Sequence, residues 1–364
     1  MDEQMTKDQE NQAPLKYRKA ASEEEMARAL EECAREPIHI PGAIQPHGVM
    51  LILDPESYDV KAVSENISSH LHQDVQDVLN VCVSKVIGEE NATNLKRIIT
   101  KKPLQPLQFI RIKIDGKLWD ANAHRSDDFV VFELEPVHES DKSVEDDYMY
   151  DELRGFTVDM RGAHDLEGLY NKVVEHVKRM TDFDRVMLYK FDDQWNGKVI
   201  AESKGEDVPG YLGLNFPASD IPEQARKLYS KSYLRMISDI NYAPSKIVGC
   251  PSVADKMPVD MTHSVLRSVS PVHIQYLENM GVGATMVTSI MQNDKLWGMV
   301  VGHHLSPKYV PYRHRMICEL MGHIFSTLLT SFNDTADKEE QDARTLLLEK
   351  LSTALTVDDG EVPN

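Results

Sequence analysis

The sequence predicts an α+β protein of two domains, each an antiparallel sheet with flanking helices. Three observations carry that expectation. At 364 residues the chain is long enough for about two independent cores. Its β-rich runs are short and divided by turns, as in antiparallel sheets. An acidic stretch near residue 141, HESDKSVEDD, parts those runs into two groups.

Residues 1–26 read as a flexible, charged leader, followed by a short helical pattern in MARALEECA. Residues 27–140 make the first domain. There GVMLILD, YDVKAVS, LQFIRIKID, KLWDANAHR and FVVFELEP are strands, with a helical pattern from about residue 75 to 100 between the second and third. Residues 141–332 make the second domain, which opens with helices through YDELRGFTVDM and DLEGLYNKVVEHVKRMT. In the latter, Leu166, Leu169, Tyr170, Val173, Val177 and Met180 form one apolar face. RVMLYKF, GKVIAES, ATMVTSIMQ and KLWGMVVGHH are its strands, with a helix after FPASDIP and a long final helix from about 312 to 332. Leu346, Leu347, Leu351 and Leu355 give one more amphipathic helix. Residues 333–364 therefore read as a helical linker into the truncated start of a further domain.

The net charge of −19 and the lack of any basic stripe argue against a nucleic-acid surface. No apolar segment is long enough to span a bilayer, and the charged N-terminus has no signal-peptide core, so a cytoplasmic protein is expected. The four cysteines, Cys33, Cys82, Cys250 and Cys318, form no CxxC pair or metal-ligand spacing and are expected as free thiols. Cys82 and Cys318 lie in apolar runs and read as core. Cys33 instead precedes a Pro/Gly-rich segment, CAREPIHIPGAIQPHG.

In SPVHIQYLENMGVG, Ser270 suits a helix N-cap, Pro271 the first helical position and Gly281 the stop. Steps of three and four from His273 reach Tyr276, Leu277 and Met280, so a stripe that should be hydrocarbon carries an imidazole and a phenol. A core with satisfied polar tips and a ligand pocket both fit. In FPASDIPEQAR, Asp220 reads most simply as an N-cap of a helix with Pro222 in its first turn. Arg235, placed near the end of that helix, and Arg267 fit either surface charges or two cations beside an apolar pocket, suited to two carboxylates. His303 and His304 are neighbours on a strand, so one faces inward, one faces solvent, and they do not share a metal ion. No nucleophile elbow, phosphate loop or HExxH surrounds Cys33, Ser270 or these histidines.

Taken together, CAREPIHIPGAIQPHG, FDRVMLYKF, FPASDIPEQAR, LRSVSPVHIQYLENMGVG and LWGMVVGHH closely resemble the photosensory core of phytochromes, the bilin-binding red-light receptors. The resemblance covers residues from about 30 to 330. It implies a PAS domain followed by a GAF domain, joined by a figure-of-eight knot in which the N-terminal segment threads a GAF loop, against the general rule for chain paths. The further domain would then be a PHY domain. Plant and cyanobacterial relatives bind their bilin through a cysteine at the position of Ile274, and isoleucine forms no thioether. Cys33 stands where bacterial and fungal phytochromes carry the cysteine that adds to biliverdin, so the chain is similar to a bacteriophytochrome.

The resemblance also assigns roles in holding biliverdin IXα. Asp220 accepts from pyrrole N–H groups through its carbonyl, with His273 completing that network, while Ile221 and Pro222 pack on the ring system. Arg235 and Arg267 pair with the propionates, assisted by Tyr229, Ser270 and Thr285. Met187, Tyr189, Phe216, Tyr276 and Met280 line the space around ring D, whose carbonyl meets His303. Val287 departs from the serine that relatives often carry. The implied function is a red/far-red photoreceptor module that is not itself a metabolic enzyme and pairs as a homodimer through the long final helix. A GAF domain sensing a nucleotide or other small molecule, and an enzyme with Cys33 or Ser270 as nucleophile, are the competing readings.

Overall fold

The computed structural model describes residues 36–100, 108–138 and 146–332. The leader, the MARALEECA helix, Cys33 and the linker beyond residue 332 lie outside the described residues.

The first domain is built on a seven-stranded antiparallel sheet. Its strands are β1 (Ala43–Ile44), β2 (Val49–Leu53), β3 (Val60–Ser64), β4 (Gln108–Ile114), β5 (Lys117–Ser126) and β6 (Phe129–Pro136), joined by β11 (Ser245–Gly249) from the second domain. The order is β1-β11-β3-β2-β6-β5-β4. All five residues of β2, VMLIL, are buried, because both faces are covered. Val49, Leu51 and Leu53 pack with Ala92, Leu95 and Ile99 of the helix Glu89–Thr100. Met50 and Ile52 point the other way, onto Val259, Met261, Val265 and Leu266 of the second domain. The helical pattern expected from 75 to 100 is three helices, Val75–Val78, Ser84–Ile87 and Glu89–Thr100. Asn80 (φ 60°) and Gly88 (φ 89°) take left-handed turns that a continuous helix cannot contain.

The second domain holds a six-stranded antiparallel sheet in the order β10-β12-β13-β7-β8-β9. These are β7 (Arg185–Phe191), β8 (Gly197–Lys204), β9 (Asn215–Phe216), β10 (Leu234–Ile237), β12 (Ala284–Gln292) and β13 (Lys295–His304). The helices Asp146–Arg161, Leu166–Thr181 and 312–332 cover one face. Val186 and Leu188 of β7 point into that helical layer, with Val173, Val177, Phe325 and Leu329. Met187 and Tyr189 point to the opposite face. Asp165 caps the second helix by accepting from the Gly168 N–H at 2.7 Å.

The two domains share backbone. On one edge of the 39–45 segment, β1 pairs with β11, setting Ala43 against Lys246 and Ile44 against Ser245. On the other edge, Met261 N–H donates to the His39 carbonyl, Ser268 N–H to that of Ala43, and Gln45 N–H to that of Leu266. One excursion of the second domain, between β10 and residue 270, thus clasps the segment on both sides, as a threaded segment requires. Of the expected core cysteines, Cys318 is buried, whereas Cys82 is only half-buried beside Ser84.

Candidate chromophore cavity

The sheet face left free by the helices forms one wall of a cavity, and residues 216–229 and 268–280 form the other. Each predicted site residue except Cys33, which lies outside the described residues, lines this single cavity. Met187 and Tyr189 come from β7, Arg235 from β10, Thr285 and Val287 from β12, and Val301 and His303 from β13.

Tyr189 owes its position to a glycine. A Cβ on Gly197 would meet the Tyr189 ring at 1.6 Å, so the ring lies directly over the β8 backbone, against Phe191 and Phe216. Across the cavity stands the helix Pro271–Asn279. Ser270 caps it, its Oγ accepting from the Val272 N–H at 3.2 Å, and Gly281 follows the last turn at φ 69°. Leu277 is buried against Ile237 and Val282 and lines the cavity with His273 and Tyr276, whose rings stack at 6.1 Å. Tyr276 Oη donates to Asp220 Oδ2 at 3.1 Å. Burial and the nearby Asp220 carboxylate push the Tyr276 phenol well above its ordinary range. Burial, helped by the Arg235 cation, pushes the His273 imidazole down to about 4. It is a neutral group at pH 7.

Two expectations need correction. Asp220 is not a helix cap: it ends the short 3-10 turn Ala218–Asp220, and Pro222 occupies the N-cap of the helix Glu223–Tyr229 with no side-chain bond. Its carboxylate is thereby free to reach Tyr276. Arg235 is not on that helix either, which ends at Tyr229; it lies on β10, opposite Val287. A strand sends alternate side chains to one face, and that face is the cavity.

Arg235 and Arg267 reach the cavity as two cations. Arg235 donates to the carbonyls of Arg267 and Ser268, and Arg267 to those of Met261 and Thr262. Among the described residues neither has a carboxylate within ion-pair distance. Burial and mutual repulsion push Arg267 below the ordinary arginine range. A buried guanidinium beside a half-buried one, both held by carbonyls, is costly unless an anion joins them. Glu133, which accepts from the Val265 and Leu266 N–H groups just behind, is pushed up to about 8 by its own burial.

His303 is buried, and its Nδ1 lies 3.2 Å from an Arg185 nitrogen. Burial and the Arg185 cation hold its imidazole down to about 3. His304 points away, to Asp184 at 2.9 Å, as the strand alternation requires. Ser270 Oγ is engaged by Glu36, with Oε2 at 2.5 Å. Residues that the sequence did not single out also line the cavity, notably Tyr211 and Ile38. Tyr211 sits in a loop with no periodicity to mark it. Ile38 falls in the Pro/Gly-rich segment after Cys33, whose position next to a thiol was the available signal.

Comparison with known proteins follows the same division. A PAS fold model matches residues 33–137, and a GAF domain model matches residues 165–329. Cyanobacterial phytochrome B of Nostoc sp. strain PCC 7120 is 43% identical over 316 residues, which is 86% of this chain and 42% of that protein. The bacteriophytochrome of Pseudomonas aeruginosa is 36% identical over 300 residues, 82% of this chain and 40% of its own length. The chain thus spans about two fifths of these curated relatives. The chromophore-binding domain of Stigmatella aurantiaca phytochrome P1 is a similar solved structure, with a TM-score of 0.75 at 40% identity, covering 82% of this chain and 99% of that one. The photosensory core module from the same organism gives 0.78 at 38% identity, over 85% of this chain and 62% of that one. In sequence, fold and domain order alike, this chain belongs to the phytochrome family and carries the PAS–GAF photosensory fold of bacteriophytochromes.

Proposed function

We propose that this photosensory module binds biliverdin IXα covalently at Cys33 and signals red and far-red light to an output domain. The observation that carries the reading is the cavity itself: an apolar slot between β7, β13 and the Pro271–Asn279 helix, with two arginines at one end that have no carboxylate within ion-pair distance among the described residues. That donor set suits a long, flat, conjugated ligand bearing two carboxylates. When bound, biliverdin supplies light absorption and rotation about the double bond between rings C and D.

The protein's residues supply the rest. Arg235 and Arg267 fix the carboxylate end, with Tyr229, Ser270 and Thr285 beside them. Ile221, Pro222, Met187, Tyr189, Phe216 and Met280 exclude water along the ring system. Asp220 and His273 offer acceptor and donor groups at its centre, and His303 offers one at the far end. Cys33 lies three residues before Glu36, which touches Ser270, and five before Ile38, which lines the cavity. Cys33 would hold the group by adding its S–H across a vinyl double bond, an addition in which nothing leaves.

In this reading the module is cytoplasmic, catalyses no metabolic reaction, and pairs as a homodimer through its long final helix. No helix among the described residues is long and apolar enough to cross a membrane. The test is to mix the apoprotein with biliverdin in the dark and record spectra before and after red light. The expected result is a red band that partly converts to a far-red one. A chain that binds a nucleotide and leaves biliverdin free would instead support the small-molecule sensor.

A further inference from the structure

Arg185 opens β7 yet is only 2% exposed. Among the described residues no carboxylate neutralises it. Its guanidinium carbon lies 3.6 Å from the centre of the Tyr211 ring, one nitrogen donates to the Pro209 carbonyl at 2.6 Å, and another lies 3.2 Å from His303 Nδ1. Burying a guanidinium without a counter-charge is costly, and nothing about the start of a strand demands one. Arg185 and His303 are direct partners across β7 and β13, so both point to the cavity face.

An arginine nitrogen only donates. His303 Nδ1 must therefore accept, and in the neutral ring the proton sits on Nε2. We propose that Arg185 is a positioning residue that locks His303 in the Nε2–H form, so that this end of the cavity presents a hydrogen-bond donor to a ligand carbonyl. The proposal deepens the bilin reading and, for the ligand, rests on it. The same cation opposes a second positive charge, which keeps the ring from protonating. The other polar groups around the pair are His273 on the capped helix, Tyr211 and Thr285, with Glu202 and Lys204 on β8. Glu202 is occupied by the backbone N–H groups of Tyr211 and Leu212.

The experiment is nitrogen NMR on the whole chain labelled at histidine and arginine, first without chromophore. Wild type is expected to show His303 protonated at Nε2 only, with a scalar coupling from Nδ1 to an Arg185 nitrogen. Arg185→Met is expected to show a mixture of the two ring forms and a protonation constant at least about tenfold higher, read as the protonated fraction at pH 5. A proton on Nδ1 in wild type overturns the proposal even if the variant fails to fold, and so does an unchanged ring form in a folded variant. Biliverdin is then added to both. A displaced red band in Arg185→Met supports the role toward the ligand, and an identical band in a variant with altered ring form overturns it. Wild type that takes up no biliverdin sinks the bilin reading instead, while the apoprotein spectra still decide the lock.

Discussion

Asp220 sits where a cap was expected and does a different job, because Pro222 takes the cap position and leaves the carboxylate to accept from Tyr276. An asparagine there keeps an acceptor for the phenol but loses the charge. Asp220→Asn is therefore expected to fold, take up biliverdin and absorb red light, yet form much less far-red product. In the bilin reading, the charge-assisted bond that Asp220 would make to the ligand in the product state, about twice as strong as a neutral one, is lost, while the Tyr276 bond is weakened but kept. Equal photoproduct in difference spectra of mutant and wild type would return Asp220 to a structural role. Cys33→Ala is expected to abolish attachment that survives denaturation while leaving reversible binding, since the arginines and the apolar walls remain. Bilin retained by the denatured mutant would point to another thiol. Much at this scale was legible in the sequence, because His273 and Tyr276 stood out as polar residues on a stripe that periodicity marked as buried, and strand alternation required one of His303 and His304 to face inward, the resemblance then picking out His303. The Arg185–His303 contact was not, since a pairing across 118 positions leaves no local trace.

Among the elements, the Pro271–Asn279 helix ties the cavity wall to the segment that follows Cys33, through one hydroxyl. Ser270 Oγ accepts from Val272 N–H and donates to Glu36. Ser270→Ala is expected to cost about 1 kcal/mol, seen as a lower denaturant midpoint at unchanged slope, and a midpoint equal to wild type would count against the cap. Gly197→Val should do more, because its side chain and the Tyr189 ring claim the same space. The cap, the helix stop and the strands β2, β7 and β13 were legible because local chemistry specifies them. Strand β10 was not: LRMI is four residues long, begins only a short turn after a helix ends at Tyr229, and gains its status only by pairing with β12. The same holds for β1 and β11, which gain their status by pairing, β1 with β11 and β11 also with β3.

At the scale of the whole molecule, the first domain is fastened to the long 312–332 helix by a buried ion pair. Arg315 donates to Glu135 of β6 at 2.5 Å, with Tyr309 Oη at 3.0 Å from the same oxygen and His47 at 3.4 Å. Burial alone would raise the Glu135 carboxyl, but Arg315 and then His47 pull it below the usual range, to about 2. A depressed folded-state value stabilises above the unfolded one, so this contribution should fade as pH falls from about 4.5 through about 2. Arg315→Met is expected to cost about 3–5 kcal/mol at neutral pH by stranding Glu135, and to flatten that part of the acid profile. Chemical unfolding at a series of pH values checks both, and a parallel profile in the mutant would sink the assignment. The outward row of the same helix exposes Met316 and Leu320. Sedimentation at high micromolar concentration is expected to show a dimer, and a monomer would remove the pairing from the account. The two-domain α+β plan was legible from turn spacing and from runs such as VMLIL. The crossing of the domains was legible only through family resemblance, since hydrophobic pattern has no term for a chain passing through a loop. The central claim is tested most directly by mass spectrometry of the chain after biliverdin assembly, denaturation and digestion. One bilin adduct is expected, on the peptide that contains Cys33; an adduct on the peptides of Cys82, Cys250 or Cys318, or no adduct at all, would contradict covalent attachment at Cys33.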